Sequence, residues 1–401
     1  MGSYVSLDIG RLQVDWGKNF AFANHSCLFL KTDFTKATYY YADDVREVQP
    51  AYVRKLGDMI RRLELLGHTM GACRRWYEEM AREAQLESPH VDLSFERFCR
   101  AVQSVDLSRS KYDTPPGDAV DEVRIMEWSD LAIALLRRPG CSEIAEALSA
   151  VAAVNDMTLL DAISPYAILR ILAEDASKLD AEVVWRFEDI VVGGYVSRAE
   201  LFETLSDEQR QLVVTEGSSD SSILRASLPL VATEVADFFD FVDMKENYPF
   251  TGTGNLVNFC KGLAKIRVRN RILVVLDNDT AGREAEQKLR SLALPENIRV
   301  LVLPELEEMR RFPTLGPSGS AIEDVNGRAV AIECFLDLRF GAAGTPAVRW
   351  TGYNTALNAY QGELVAKDRY VHGFFESHGE SGYDLRKLAY LWTEILRACT
   401  S

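Results

Sequence analysis

From residue 206 onward, short uninterrupted apolar runs alternate with amphipathic stretches, and this rhythm restricts the possible folds more than any other feature of the chain. Gln211-Leu212-Val213-Val214-Thr215-Glu216 reads as a strand that ends in an acid, followed by Gly217 and a helix over about 219–231. Phe238 to Val242 reads as a second strand, and Gly252-Thr253-Gly254 as a loop leading to a helix that ends near Ile266. Arg271 to Leu276 is a continuous apolar strand that runs into Asp277-Asn278-Asp279. A helix over about 281–292 and a strand from Ile298 to Leu303 follow. Strands that do not alternate with polar residues have both faces covered, and the helices between them supply the cover. The pattern predicts a buried, mostly parallel sheet.

Open α/β sheets bind ligands at the carboxyl ends of their strands, and here the acids stand at those ends. Glu216 closes one strand; Asp277 and Asp279 close another. Residues i and i+2 project together once the chain leaves the pleat, so the two aspartates could share a hard divalent cation such as Mg²⁺, which takes a few carboxylate oxygens and retains several waters. Without a cation, gathered carboxylates repel one another and their pKa values rise. A lone strand-end aspartate is more often a turn or helix cap, and Asp279 could cap the helix that follows it.

The stretches VVTEGSSD (213–220) and LVVLDNDTAGREA (273–285) together resemble the two hallmark motifs of the Toprim fold, found in type IA topoisomerases, DnaG-type primases and OLD-family nucleases. The resemblance covers about 100 residues. It implies an α/β, Rossmann-like Toprim domain in which Glu216 serves acid/base chemistry or metal binding, and Asp277 and Asp279 hold Mg²⁺ or Mn²⁺. Asp220 and Gly217 match the flanks of the first motif. Toprim nucleases that use two cations need further acids. The candidates are Asp324, beside Glu323 after the loop Gly316-Pro317-Ser318-Gly319, and Glu333 on an apolar stretch expected to be helical over 330–338. OLD-type enzymes also place a lysine near the reacting phosphate, and Lys367 in YQGELVAKDRY is the analogue.

The amino-terminal half reads differently. Tyr4 to Ile9 and Leu12 to Trp16 alternate and meet at Gly10-Arg11, a hairpin signal, and 27–30 and 37–41 are candidates for two more strands. From Pro50 the period becomes helical, with Val53, Leu56, Ile60 and Leu63 on one face. A second helix is expected over about 70–85, a linker at 113–118, and mostly helix over 118–205, including one that starts at Ser164-Pro165. SYVSLDIG and RRLELLGHTMGACRRWYEE (61–79) resemble the N-terminal domain of bacterial HEPN/Toprim-associated proteins, which is fused to effectors of presumed antiphage systems. Arg62 and His68 have an R-x5-H spacing that a HEPN ribonuclease site can use, but they also fit a basic helix face with a histidine just past its end.

Composition sets outer limits. At roughly 100–200 residues per domain, 401 residues make two or three domains. Apolar types at 47% and charged types at 26% allow real cores and argue against a disordered or coiled-coil chain. No apolar window is long enough for a transmembrane helix, and the start of the chain lacks a signal-peptide pattern. Seven scattered cysteines without a CxxC pair suit reduced thiols in a cytoplasm. The formal charge of −15 repels a phosphate backbone. It is unevenly spread, though: residues 208–305 hold 14 acids and 12 bases, which leaves −13 for the rest. Lys261, Lys265, Arg267, Arg269 and Arg271 occur in one acid-free stretch and could contact phosphates or form a solvated helix end.

These readings predict an α+β module at 1–112, a helical region at 118–205, a Toprim catalytic domain at 206–345 and a helical extension at 346–401. The function expected is a divalent-metal-dependent nuclease cleaving DNA or RNA, an effector of antiphage defence with a protein partner or activator, no membrane association and a possible oligomer. The alternatives are a non-catalytic Toprim module binding nucleic acid or a partner, and a topoisomerase- or primase-type enzyme. The chain is short for a topoisomerase gate and lacks the zinc spacing of a primase.

Overall fold

A computed structural model of the chain describes residues 2–40, 46–87, 90–113, 120, 129–154, 164–202, 205–242, 252–340, 344–377 and 382–401. The chain divides into two compact units, residues 1–204 and 205–401.

The first unit is built on an antiparallel sheet of five strands: β1 (Tyr4–Ile9), β2 (Leu12–Lys18), β3 (Phe34–Tyr40), β4 (Arg46–Lys55) and β5 (Glu182–Arg186), in the order β2-β1-β5-β4-β3. The hairpin at Gly10-Arg11 forms as expected, with Ile9 opposite Leu12. Helices α1 (Leu56–Leu65), α2 (Met70–Glu87), α3 (Phe95–Gln103), α4 (Asp130–Leu136), α5 (Ser142–Val154) and α6 (Pro165–Leu172) follow β4, and the short α7 (Glu188–Val192) and α8 (Arg198–Leu201) follow β5. Their apolar faces share one core with the sheet, which buries Leu7, Trp185, Phe98 and Leu169.

Three expectations are corrected here. Residues 27–30 are not a strand: Ser26–Leu28 is a 3-10 turn, set up where the Asn24 side chain accepts the Ser26 N–H and drops Leu28 and Phe29 into the core. The helix expected from Pro50 starts at Leu56, because Pro50 and Val53 belong to β4, paired with Lys36 and Val184. Period 3.6 and period 2 coincide over so short an apolar stretch, and sheet pairing decides between them. Residues 118–205 are not all helical: Val183, Val184 and Trp185 lie in the central strand β5, between β1 and β4. Most of the expected linker, 114–118, falls outside the described residues.

In the second unit, β6 (Gln211–Thr215), β7 (Phe239–Phe241), β8 (Arg271–Leu276) and β10 (Ile298–Val302) form a parallel sheet in the order β10-β8-β6-β7. Helices α9 (Ser218–Val231), α10 (Thr253–Ile266) and α11 (Thr280–Arg290) connect them. The strands are apolar throughout because both faces are covered; Val214, Leu256, Val257, Val274, Ala285 and Leu289 lie in one core. A second sheet runs β12 (Gly319–Glu323), β11 (Phe312–Gly316), β14 (Val348–Asn354), β15 (Ala359–Leu364). The two-residue strand β9 (Asn278–Asp279) pairs antiparallel with β13 (Ala329–Val330). Residues 346–401, expected as a helical extension, are corrected: they open with β14 and β15, whose pairing with β11 makes them part of the second sheet, and only then do helices α12 (Lys367–Ser377) and α13 (Arg386–Thr400) end the chain. The helix expected over 330–338 is a 3-10 turn at Ile332–Phe335, since β13 takes Val330 into its pairing.

Among the described residues no helix is long and apolar enough to cross a membrane. All seven cysteines are free thiols.

Candidate active site

The strand order places one crevice above all others. From β6 the chain moves to β7 on one side, then crosses to β8 on the other, so the order of winding reverses between β6 and β8. Loops diverge at such a switch point and leave a crevice outside the carboxyl ends of the two strands. Glu216 follows β6 directly, and Asp277 follows β8.

Parallel winding also points helix N-termini at those same ends. Each N-terminus offers unsatisfied N–H groups and a partial positive charge, and the acids use them. The Thr253 N–H, first in α10, donates to Glu216. The Gly217 N–H donates to Asp220 Oδ2 at 2.9 Å in a capping arrangement at the start of α9. The Gly282 N–H donates to Asp279 Oδ1 at 2.8 Å, which makes Asp279 the N-cap of α11. Gly252, just ahead of α10, adopts φ +89°, a conformation that favours glycine. Gly282 is fixed by close approach: a Cβ there would fall 2.0 Å from the Asp277 carbonyl oxygen.

The carboxylates share one electrostatic field. Burial, then Asp279 and Asp220, push Glu216 up to about 7. Burial, with Glu333 as a further negative neighbour, pushes Asp220 up to about 6, against the Gly217 N–H and Lys367, which pull it down. Burial raises Asp277 well above the usual carboxylate range, and Asp220, Asp279, Glu333 and Glu216 all add to it. Five acids drawn from three distant segments thus bear on one another.

Three of the participants arrive by tertiary pairing. Glu333 sits in the 3-10 turn just after β13, and the β13–β9 pairing brings that turn beside Asp277; Glu333 is 4% exposed. Lys367 is the first residue of α12 and exposed, preceded by Ala366 at φ +58°. Gln361 on β15 was not foreseen from the sequence. Its Nε2 donates to Asp279 Oδ2 at 2.6 Å, and its Oε1 accepts the Thr280 N–H at 2.9 Å and the Thr280 hydroxyl. No spacing in the sequence signals it, because a single glutamine in a β-hairpin has no local mark of function.

Other candidates go elsewhere. Asp324 Oδ1 accepts from the Asn326 backbone and side chain, a local turn. The basic run lies toward the opposite end of the strands: Lys261 and Lys265 lie in α10, Arg267 caps it, Arg269 approaches Glu208 at 3.8 Å, and Arg271 opens β8. A six-residue strand separates Arg271 from Asp277, about 20 Å of chain. In the first unit, Arg62 is fully buried and both its Nε and Nη2 donate to the Cys27 carbonyl, while His68 stands edge-on to Tyr166 with burial lowering its pKa. Arg62 thereby anchors the Ser26–Leu28 turn.

The donor set is all oxygen and dominated by carboxylates, which suits a hard divalent cation. Among the described residues, no three His, Cys, Asp or Glu side chains are grouped so as to hold a metal ion by themselves. The arrangement therefore fits a water-rich ion held by one or two carboxylates and substrate phosphate, not a closed protein cage.

A family model described as HEPN/Toprim N-terminal domain 1 matches residues 1–210, just over half the chain. It spans the whole first unit and stops before Glu216. Comparison with curated proteins and with solved structures gives no match.

Proposed function

The chain belongs to the HEPN/Toprim N-terminal domain 1 family, and from that premise we propose that its second unit is a Toprim-type, divalent-metal-dependent nuclease, cleaving phosphodiester bonds as an effector of antiphage defence. The observation that carries this reading is the set of five mutually repelling carboxylates at the switch point, one of them held near neutrality. Such a cluster destabilises the fold unless a cation neutralises it, and functional sites are where this cost recurs.

Mg²⁺ or Mn²⁺ would rest on one or two of Asp277, Asp279 and Glu216 together with water and substrate phosphate, with Asp220 and Glu333 completing the negative surround. A divalent ion held there supplies Lewis acidity toward a phosphoryl oxygen. Glu216, close to neutral pKa, is matched to moving a proton to or from the water that attacks phosphorus. The N-termini of α9, α10 and α11 favour the phosphate's negative charge. Lys367 neutralises a phosphate oxygen from the α12 side. Gln361 fixes the Asp279 carboxylate in one orientation.

The test is incubation of wild type, Glu216→Ala and Asp277→Ala with plasmid, single-stranded DNA and tRNA, each with Mg²⁺ or Mn²⁺. The expected outcome is cleavage by wild type, lost in both variants while their thermal melts stay cooperative. Wild-type protein inert toward every substrate with either ion would replace this reading with a binding module.

A further inference from the structure

The Asp279 carboxylate is gripped at both oxygens, each by a different element. Oδ1 accepts the Gly282 N–H of α11 at 2.8 Å, and Oδ2 accepts Gln361 Nε2 of β15 at 2.6 Å. Its main chain is fixed as well, by the pairing of Asp279 with Ala329 in β13. Turning this carboxylate therefore breaks two hydrogen bonds to a charged acceptor at once, and these are the strong kind. The Gln361 amide is fully occupied in the process. Its Oε1 accepts the Thr280 N–H at 2.9 Å and the Thr280 hydroxyl, and its Nε2 donates to Asp279 and, more weakly at 3.4 Å, to the Gly362 carbonyl. A backbone N–H only donates, so the amide oxygen must face Thr280 and the nitrogen must face Asp279. Gln361 acts through Asp279 and is a positioning residue.

The hairpin is shaped to aim this side chain. In the β14–β15 ladder Trp350 faces Gly362, but Gly352 and not Thr351 faces Gln361, so β14 carries an extra residue at that point. Such bulges re-aim side chains next to active sites. The Thr351 hydroxyl donates to the Gln361 carbonyl at 3.3 Å. Farther along the hairpin, Asn354 Nδ2 donates to Glu284 Oε2 at 3.1 Å. Thr280 and Glu284 lie one turn apart on α11, so the hairpin is tied to the helix at both.

Divalent ions differ in how far they ask a carboxylate to adjust. Ca²⁺ takes about 6–8 oxygens in a flexible geometry and often uses both oxygens of one carboxylate; Mg²⁺ demands a near-octahedral set with few carboxylates and several waters. A carboxylate locked at both oxygens suits the second ion and cannot adjust to the first. We propose that Gln361 is the cation-selecting residue of this site: by holding Asp279 rigid it sets the preference for Mg²⁺ or Mn²⁺ over Ca²⁺. The inference rests on the metal-dependent reading of the site and deepens it, assigning selection to a side chain whose own polar atoms are all engaged by protein.

The experiment follows Mn²⁺ bound to the full-length protein by electron paramagnetic resonance, counting as site-bound the signal that Asp277→Ala lacks. Mg²⁺ or Ca²⁺ is then titrated in, and the ratio of the two competing affinities is the readout. Wild type is expected to prefer Mg²⁺. Gln361→Met, close in size but without a donor, should lower that ratio by about tenfold. Gln361→Glu keeps an acceptor for Thr280 but turns an oxygen toward Asp279, and should lower it as well. Asn354→Ala releases the hairpin from Glu284, leaves Gln361 in place and should keep the wild-type ratio. A purely structural role would weaken both ions together. A ratio unchanged in both Gln361 variants, Mn²⁺ binding abolished in both, an equal fall in Asn354→Ala, or a wild type that binds no Mn²⁺ or shows no preference overturns the proposal. Mg²⁺-dependent cleavage of single-stranded DNA and tRNA is assayed on the same preparations. Cleavage by wild type with an unchanged ratio in the variants sinks this inference alone. A ratio that falls as expected, without cleavage by any protein, sinks the nuclease reading alone.

Discussion

Asp130 begins α4 with its side chain 5% exposed, 3.9 Å from Lys111 Nζ and 3.4 Å from the Gln13 N–H. Both partners are distant for the charge they face, so burial dominates and raises its pKa to about 6, with Lys111 opposing. The native state then holds a proton that the unfolded chain releases, and stability falls as pH rises from about 4 through about 6 and stays lowered above. A pKa difference of this size between the folded and unfolded chain is worth about 3 kcal/mol at most. Asp130→Asn keeps the shape and removes the charge, so it should raise the melting temperature at pH 8 and change little below about pH 4, where the carboxyl is protonated in both states. An equal gain at both values, or a loss at pH 8, would contradict the account. Nothing in the sequence around Asp130 marks it as buried, because its surroundings come from residues 13 and 111. Glu216, Asp277 and Asp279 were readable from sequence because strand ends are locally encoded; Gln361, which grips Asp279 from another sheet, was not.

At the scale of elements, two glycines near the same helix ends have opposite duties. Gly282 sits in α11 with the Asp277 carbonyl where its Cβ would be, so strand β8 and helix α11 approach as they do only because the side chain is missing. Gly254, in the first turn of α10, has nothing within 4 Å of the same position. Gly282→Ala should force α11 off the strand end, cost about 1–3 kcal/mol in chemical denaturation, and weaken Mg²⁺ binding measured calorimetrically. Gly254→Ala should stabilise by about 0.4–1 kcal/mol through the unfolded chain and the helix preference for alanine. Matching destabilisation by both would show that packing at Asp277 is not the reason. The β6, β8 and β10 strands followed from uninterrupted apolar runs. The boundary between β4 and α1 did not, because Val53 and Leu56 satisfy both periods and only pairing with Val184 separates them.

On the scale of the whole chain, two units with separate cores should unfold in two calorimetric transitions. Mg²⁺ should raise one of them, by mass action on the folded acid cluster. Asp277→Asn should raise that same transition in EDTA, since it removes a carboxyl that burial, and then its acidic neighbours, make costly to ionise, and should blunt the Mg²⁺ effect. A Mg²⁺ shift equal in wild type and variant would mean that the ion binds elsewhere. What the sequence determined by itself is the parallel α/β character of the second unit and the acids at its strand ends. Both are written in runs of a few residues, where burial on two faces and the reach of one side chain past the next leave a local pattern. What only the tertiary structure decided is the company those acids keep: β13 carrying Glu333 to Asp277 and β15 bringing Gln361 to Asp279. These partners lie far apart along the chain, and no periodicity connects residues whose only relation is that folding brings them within a few ångströms.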